Sequence, residues 1–237
     1  MKSAFITGLS LLGFATALPA TEVERTLPAG WQYKIASLRG PGCPDFGADP
    51  EKAYATRLTY GQNTMDGSEI YYWFVAYPHL HVDLADNDSS WCETEISYEE
   101  YSNYVDKTPS TDYRLRLHKN GTRAIATYNL EKGVKATIKF EYDAGKGDEY
   151  NDVITWKGPT ASGQYQQESS SSVAKDELYK LPKCGAGKIK FRTELSIEGK
   201  KGQKGFVASE THEFKKGELQ YYGIQQGFSY DWEKCKK

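Results

Sequence analysis

The chain has 237 residues, a formal net charge of −2 and four cysteines. The balance of 30 Lys+Arg against 32 Asp+Glu excludes a nucleic-acid or anionic-membrane binder, which needs a basic face. A mean hydropathy of −0.69 excludes a multi-span membrane protein, and the 18 tyrosines assign part of the core to rings rather than aliphatic side chains.

The N-terminus reads as an export signal. Lys2 precedes the apolar stretch Ala4 to Phe14, and Ala15-Thr16-Ala17 is a small-x-small cleavage site. This three-part pattern predicts a signal peptide over residues 1–17, with Ala20 as a second cleavage point. The apolar run is short of the ~20 residues that a spanning helix needs. Residues 18–30 follow as a polar leader, and residues 31–237 form the predicted single domain.

Export sets the chemistry of Cys43, Cys92, Cys184 and Cys235. An even set in an oxidising route predicts two disulfides. No Cys-x-x-Cys pair is present, so neither a zinc knuckle nor a thioredoxin-like redox site is expected. Pairing Cys43 with Cys92 and Cys184 with Cys235 gives one staple per half of the chain and is preferred. Export also makes the sequons Asn87-Asp88-Ser89 and Asn120-Gly121-Thr122 usable for glycosylation. Asn-Gly is a favoured type I′ turn pair, which places Asn120 at an exposed hairpin tip.

Strand patterns follow in order. Ile70 to Tyr77 is almost continuously apolar and aromatic, as in a central strand covered on both faces. Cys92, Thr94, Ile96 and Tyr98 share a face that points Cys92 into the core, with Glu93 and Glu95 towards water. Ser97-Tyr98-Glu99-Glu100 fits a capping box, with Tyr98, Tyr101 and Val105 on one face and Pro109 beyond, so a short helix is expected near 98–106. Tyr113, Leu115 and Leu117 alternate with Arg114, Arg116 and His118. Val134 to Tyr142 and Ile189 to Glu198 also alternate between apolar and polar or charged residues. Residues 160–176 are polar and read as a surface loop. Turn signals at Asp66-Gly67, Asn120-Gly121, Lys132-Gly133 and Gly199 to Gly205 separate these runs. The pattern predicts an all-β antiparallel sandwich or jelly roll, disulfide-stapled, with at most one or two short helices.

Candidate chemistry is sparse. His79 and His81 in Pro78-His79-Leu80-His81 would share a strand face, with Asp83 two residues further on. A His-x-His pair suits Cu or Zn, but His118 and His212 are unplaced as a third ligand, so no metal site is assigned. Glu93 and Glu95, with Asp83, Asp86, Asp88, Glu99 and Glu100 nearby, could supply the paired carboxylates of a glycosidase. In a chain of 32 acids such pairs arise by chance, and solvated carboxylates are the commoner arrangement. No Gly-x-Ser-x-Gly elbow or Gly-x-x-x-x-Gly-Lys phosphate loop occurs. Trp31, Trp73, Trp91, Trp156 and Trp232 could build a sugar-stacking platform, with Trp73 and Trp232 better placed for the core.

Several motifs recur in the order of a known family. Gly42-Cys43-Pro44 follows the leader, and Cys92 follows the aromatic strand region. Asn120-Gly121-Thr122 leads to Lys132-Gly133-Val134-Lys135-Ala136, and Gly158-Pro159 is followed by Tyr165. Lys183-Cys184-Gly185, the strand Lys188 to Glu198 and the ending Tyr230-Asp231-Trp232-Glu233-Lys234-Cys235 complete the set. Together they resemble the fungal secreted family labelled domain of unknown function 4360, across nearly the whole mature chain. In that family the second cysteine runs almost directly into a strand, whereas here Glu93 to Asp112 lie between Cys92 and Tyr113. The resemblance implies a secreted, disulfide-stapled β domain and carries no catalytic residues.

The reading is thus a secreted, non-enzymatic protein acting by extracellular surface recognition at a cell wall or host interface, in one version as an effector. Carbohydrate and host or cell-wall proteins are the expected partners; no cofactor, catalytic residue, nucleic acid or membrane is assigned. The alternatives are an extracellular polysaccharide-active enzyme using paired carboxylates and a carbohydrate-binding protein.

Overall fold

The computed structural model describes residues 28–46, 55–60, 71–143, 149–160, 163–168, 170–171, 179–181, 183–215 and 218–236. The expected signal peptide, nearly all of the leader and the Asp66-Gly67 turn lie outside them.

Two antiparallel sheets pack face to face, and no helix occurs among the described residues. The first sheet comprises β1 (Gly30–Arg39), β5 (Ser89–Asn103), β6 (Thr108–Pro109), β8 (Lys135–Asp143), β9 (Glu149–Lys157), β11 (Ser170–Ser171) and β13 (Ala186–Glu198). Its order is β1-β5-β13-β8-β9-β11, with β6 paired to β5. The second comprises β2 (Arg57–Tyr60), β3 (Tyr71–Tyr77), β4 (Val82–Asp83), β7 (Tyr113–Leu130), β10 (Gly163–Glu168), β12 (Tyr179–Lys180), β14 (Gly205–Ala208), β15 (Glu210–Lys215) and β16 (Glu218–Lys234). Its order is β2-β3-β16-β7-β14-β4, with β10 and β12 on β7 and β15 on β16.

Alternation drives this arrangement. On β8, Ala136, Ile138, Phe140 and Tyr142 are buried while Lys135, Lys139 and Glu141 lie towards solvent. On β13, Ile189, Phe191, Leu195 and Ile197 are buried in the same way. These side chains meet Trp73, Leu115, Phe228 and Trp232 of the second sheet in one core. Trp73 stacks on Phe228 at 4.2 Å and on Tyr33 at 4.7 Å between ring centroids. In β3, Trp73 through Tyr77 are all buried, as expected for a strand covered on both faces.

Three local expectations are corrected. The capping-box segment near 98–106 is not helical: β5 continues through it to Asn103. Glu100 and Tyr101 pair with β1, and Tyr98 and Glu99 pair with both β1 and β13. Long-range pairing on both edges outweighs a local cap signal. Asn120-Gly121 is not a hairpin turn. It lies inside β7, where Leu117 is opposite Tyr230 but Thr122 is opposite Phe228. Residues 118–121 therefore bulge beside Ser229. Gly121 takes a φ of 74°, as glycine tolerates, and its carbonyl accepts a hydrogen bond from buried Ser229 Oγ at 2.9 Å. Before the bulge, odd-numbered Leu115 and Leu117 face the core; after it, even-numbered Thr122, Ala124, Ala126, Tyr128 and Leu130 do. Finally, the polar stretch 160–176 is not simply loop, because β10 pairs with β7 and β11 with β9.

The disulfides are Cys43–Cys92 and Cys184–Cys235, closing sequence separations of 49 and 51 residues. The first lies in the core, with Cys43 1% and Cys92 0% exposed. The second is half-buried at the end of the sandwich. Thiol–disulfide exchange needs access to sulfur. Under limiting dithiothreitol, Cys184–Cys235 should open first, and alkylation with peptide mass mapping checks this. Earlier labelling of Cys43 or Cys92 would contradict it.

Candidate functional site

The outer face of the first sheet carries a concavity of about 640 Å³ across β1, β5, β13 and β8. Strand register builds it. One cross-strand row runs Arg39, Glu93, Arg192, Glu141, and the next runs Ser37, Glu95, Lys190, Asp143. Acidic residues on β5 and β8 thus flank basic residues on β13. Such opposite-charge neighbours favour this register over a slipped one. Leu38 and the inward-facing neighbours Thr94, Tyr142 and Phe191 complete the lining.

The charges are tied to one another. Glu93 lies 3.1 Å from Arg39 Nε and 3.3 Å from Arg192 Nη1. Glu95 accepts from Lys188 at 2.7 Å and lies 3.5 Å from Lys190. Glu141 pairs with Lys139. The Lys188 bond, assisted by the charge of Lys190, holds the Glu95 carboxyl below the usual carboxylate range. Glu93 and Glu95 are ~7 Å apart along the strand, a spacing compatible with glycosidase carboxylates. The environment of Glu95 is not: a general acid needs a raised pKa, whereas Glu95 is shifted the other way.

The other acids are elsewhere. Glu99 accepts from Tyr101 Oη at 2.7 Å, and Glu100 is buried. Asp83 lies beside a smaller concavity of about 370 Å³ with Asn129, Glu131, Lys204 and Phe206. His79 and His81 are in the turn between β3 and β4 rather than on a strand, and His81 Nδ1 is 2.9 Å from the His79 carbonyl. No group of three metal-ligating side chains occurs among the described residues. Of the sequon asparagines, Asn87 lies in the connection between β4 and β5, its Nδ2 3.4 Å from the His81 carbonyl, and Asn120 falls in the β7 bulge.

The tryptophans do not form a platform. Trp73, Trp156 and Trp232 are buried, and Trp31 packs edge-on against Trp232 at 4.6 Å. Trp91 stays at the surface, where the Arg192 guanidinium lies 4.1 Å from its ring centroid. The Gly40 backbone packs so closely on Trp91 that a Cβ there would approach its ring carbons to 2.7 Å. Trp91 therefore orients Arg192 through a cation–π contact.

Beneath the concavity a buried polar chain joins the two sheets. Gln226 Nε2 donates to Tyr142 Oη at 3.1 Å, while Gln226 Oε1 accepts from Thr193 and from Tyr77 Oη at 3.4 Å. Tyr77 Oη reaches Thr94 at 3.1 Å, Tyr142 Oη reaches Thr122 at 2.8 Å, and Thr122 donates to Asp152. Burial pushes the Tyr77 and Tyr142 phenols well above their ordinary value.

Sequence reasoning singled out Glu93 and Glu95 but missed Arg39, Arg192, Lys190, Glu141 and Asp143. A usable signal was present in the complementary outward faces of the segments around 93–95, 139–143 and 188–194.

No family model matches the chain, and no curated protein matches it. Among solved structures, it is similar at 14% identity to the carbohydrate-binding module TmCBM61 in complex with β-1,4-galactotriose, over 76% of this chain and 85% of that one, with a TM-score of 0.21.

Proposed function

We propose that this is an exported, non-enzymatic recognition protein whose concave outer face binds an uncharged carbohydrate of a cell wall or host surface. The observation that carries the reading is the concavity itself: a polar hollow on a rigid sheet, lined by acids and bases in nearly equal number. Mutual neutralisation leaves little net field to select an ion. It leaves donors, such as the terminal nitrogens of Arg39, and carboxylate acceptors in alternation, which suits hydroxyl groups that both donate and accept. The signal-peptide pattern, the two disulfides and the resemblance to a secreted fungal family support export.

The test is calorimetric titration and pull-down with a panel of soluble and insoluble neutral polysaccharides, with Arg39→Ala as the probe. Arg39 is 77% exposed in its side chain, so its removal should leave the fold intact. A hydrogen bond to a charged group is worth ~1.5–3 kcal/mol, so affinity should fall by about tenfold to a hundredfold. Unchanged affinity in Arg39→Ala would move binding away from this face. Released sugar that disappears in Glu93→Gln would replace binding with catalysis.

A further inference from the structure

We propose that Glu100 is a proton-operated latch between the sheets at the Cys184–Cys235 end of the sandwich, closed when its carboxyl is protonated and loosened when it ionises.

A buried carboxyl without partners is better accommodated neutral than ionised. Glu100 is 1% exposed, and neither carboxyl oxygen has a hydrogen-bond partner. The nearby Tyr113 backbone N–H favours the ionised form but only partly offsets burial. Around it the chain is tightly tied: Glu100 N donates to the Gly185 carbonyl at 2.8 Å, Gly185 N to the Tyr113 carbonyl at 2.8 Å, and Ser110 N to the Glu100 carbonyl at 2.9 Å. Gly185 has a φ of 79°, and a Cβ there would come within 1.9 Å of the Ser110 carbonyl.

The groups packed around it are neutral or negative: on β1 its cross-strand partner is Trp31. On β5 the neighbour is Tyr98, whose hydroxyl accepts from Trp232 Nε1 of β16 at 2.8 Å. From β16, Tyr230 acts on Tyr98 and is likewise a neutral phenol. From the segment leading into β7, Asp112 adds a second negative charge. The start of β13 contributes disulfide-bonded Cys184 and then Gly185, Ala186 and Gly187, none of which is ionisable. Burial, reinforced by Asp112, pushes the Glu100 carboxyl up to about 7.

The sign follows from proton linkage. Between the ordinary glutamate value and the raised one, the folded state holds a proton that the unfolded state has lost. Glu100 therefore favours folding most in acid, and that advantage is lost as pH rises through about 7. Above this pH the charge must be hydrated, and the Ser110–Tyr113 and Cys184–Gly187 contacts are the ones that must part to admit water.

The test uses the full chain with its disulfides intact. Carboxyl-carbon NMR of the native protein should show Glu100 titrating with a midpoint near pH 7, and the protection of the Glu100, Ser110 and Gly185 amides, corrected for the intrinsic rise of exchange with pH, should fall as pH rises towards 7 and level off above it. Thermal unfolding of the native protein should fall by several degrees between pH 5 and 8 relative to Glu100→Gln, which keeps the shape without the charge. A Glu100 resonance that titrates in the ordinary carboxylate range overturns the proposal even if Glu100→Gln fails to fold. So does a stabilisation of the native protein by millimolar Ca²⁺ that Glu100→Gln abolishes, because a cation would then fill the role given to the proton.

Discussion

Truncating Gln226 to alanine should destabilise the fold by about 4 kcal/mol, a large part of the ~5–15 kcal/mol of a typical domain. Gln226 is fully buried and joins three hydroxyls across the interface between the sheets. Tyr77 keeps Thr94 as a partner and Tyr142 keeps Thr122, so each loses one bond, worth ~1 kcal/mol. Thr193 also loses the acceptor it reaches in Gln226, another ~1 kcal/mol with the Tyr77 hydroxyl still beside it. The space left by the side chain adds to this, since packed interiors relax only in part. Denaturant unfolding should show a lower midpoint at unchanged slope. A double-mutant cycle with Thr193→Val should give a coupling of ~0.5–3 kcal/mol. A loss below ~1 kcal/mol would mean that the polar chain contributes little to holding the sheets together.

Replacing Cys43 and Cys92 together by alanine should cost about 4 kcal/mol, from the unfolded-chain entropy released when a loop of this length is opened. The separation of 49 residues sets that magnitude. At ~2–4 °C per kcal/mol for a chain of this size, Tm should drop by roughly 8–16 °C. The cross-link also acts locally, tying the segment after β1 to the start of β5, where Gly42 N donates to the Trp91 carbonyl at 2.9 Å. Trp91 in turn supports Arg192 in the concavity. The double variant should therefore lose ligand affinity at temperatures where it is still folded. The equivalent change at Cys184 and Cys235 should lower Tm and spare affinity, because that bridge lies at the other end of β5. Calorimetry on both variants, with titration of the ligand identified for the native chain, separates the two effects.

How far the sequence reveals the fold varies from strand to strand. β8 and β13 show themselves plainly, since apolar and polar or charged residues alternate along nearly their whole length, Thr193 being the one polar core position of β13. β5 does not. Its inward positions include Thr94 and Glu100, and a carboxylate at a core position breaks the period that marks a strand, leaving the local helix-cap pattern as the stronger signal. Asn120-Gly121 misleads for a related reason. A glycine with positive φ serves a bulge as well as a turn, and only the pairing of β7 with β16 decides between them. The concavity is less legible still. Its two rows draw residues from four strands far apart in the chain, and no local pattern encodes that Arg39 faces Glu93 or that Arg192 faces Glu141. The tryptophans drew attention by their chemistry, yet most were consumed by packing.

The bulge at residues 118–121 acts as a frameshift written into a strand. Upstream of it one parity of side chains is lipophilic filling, and downstream the other parity is. Removing a single residue there would rotate one half of β7 inside out, exposing leucines or the alanine–tyrosine run, while removing two would preserve both phases. Among natural variants of this chain, length changes at that point should therefore come in even steps.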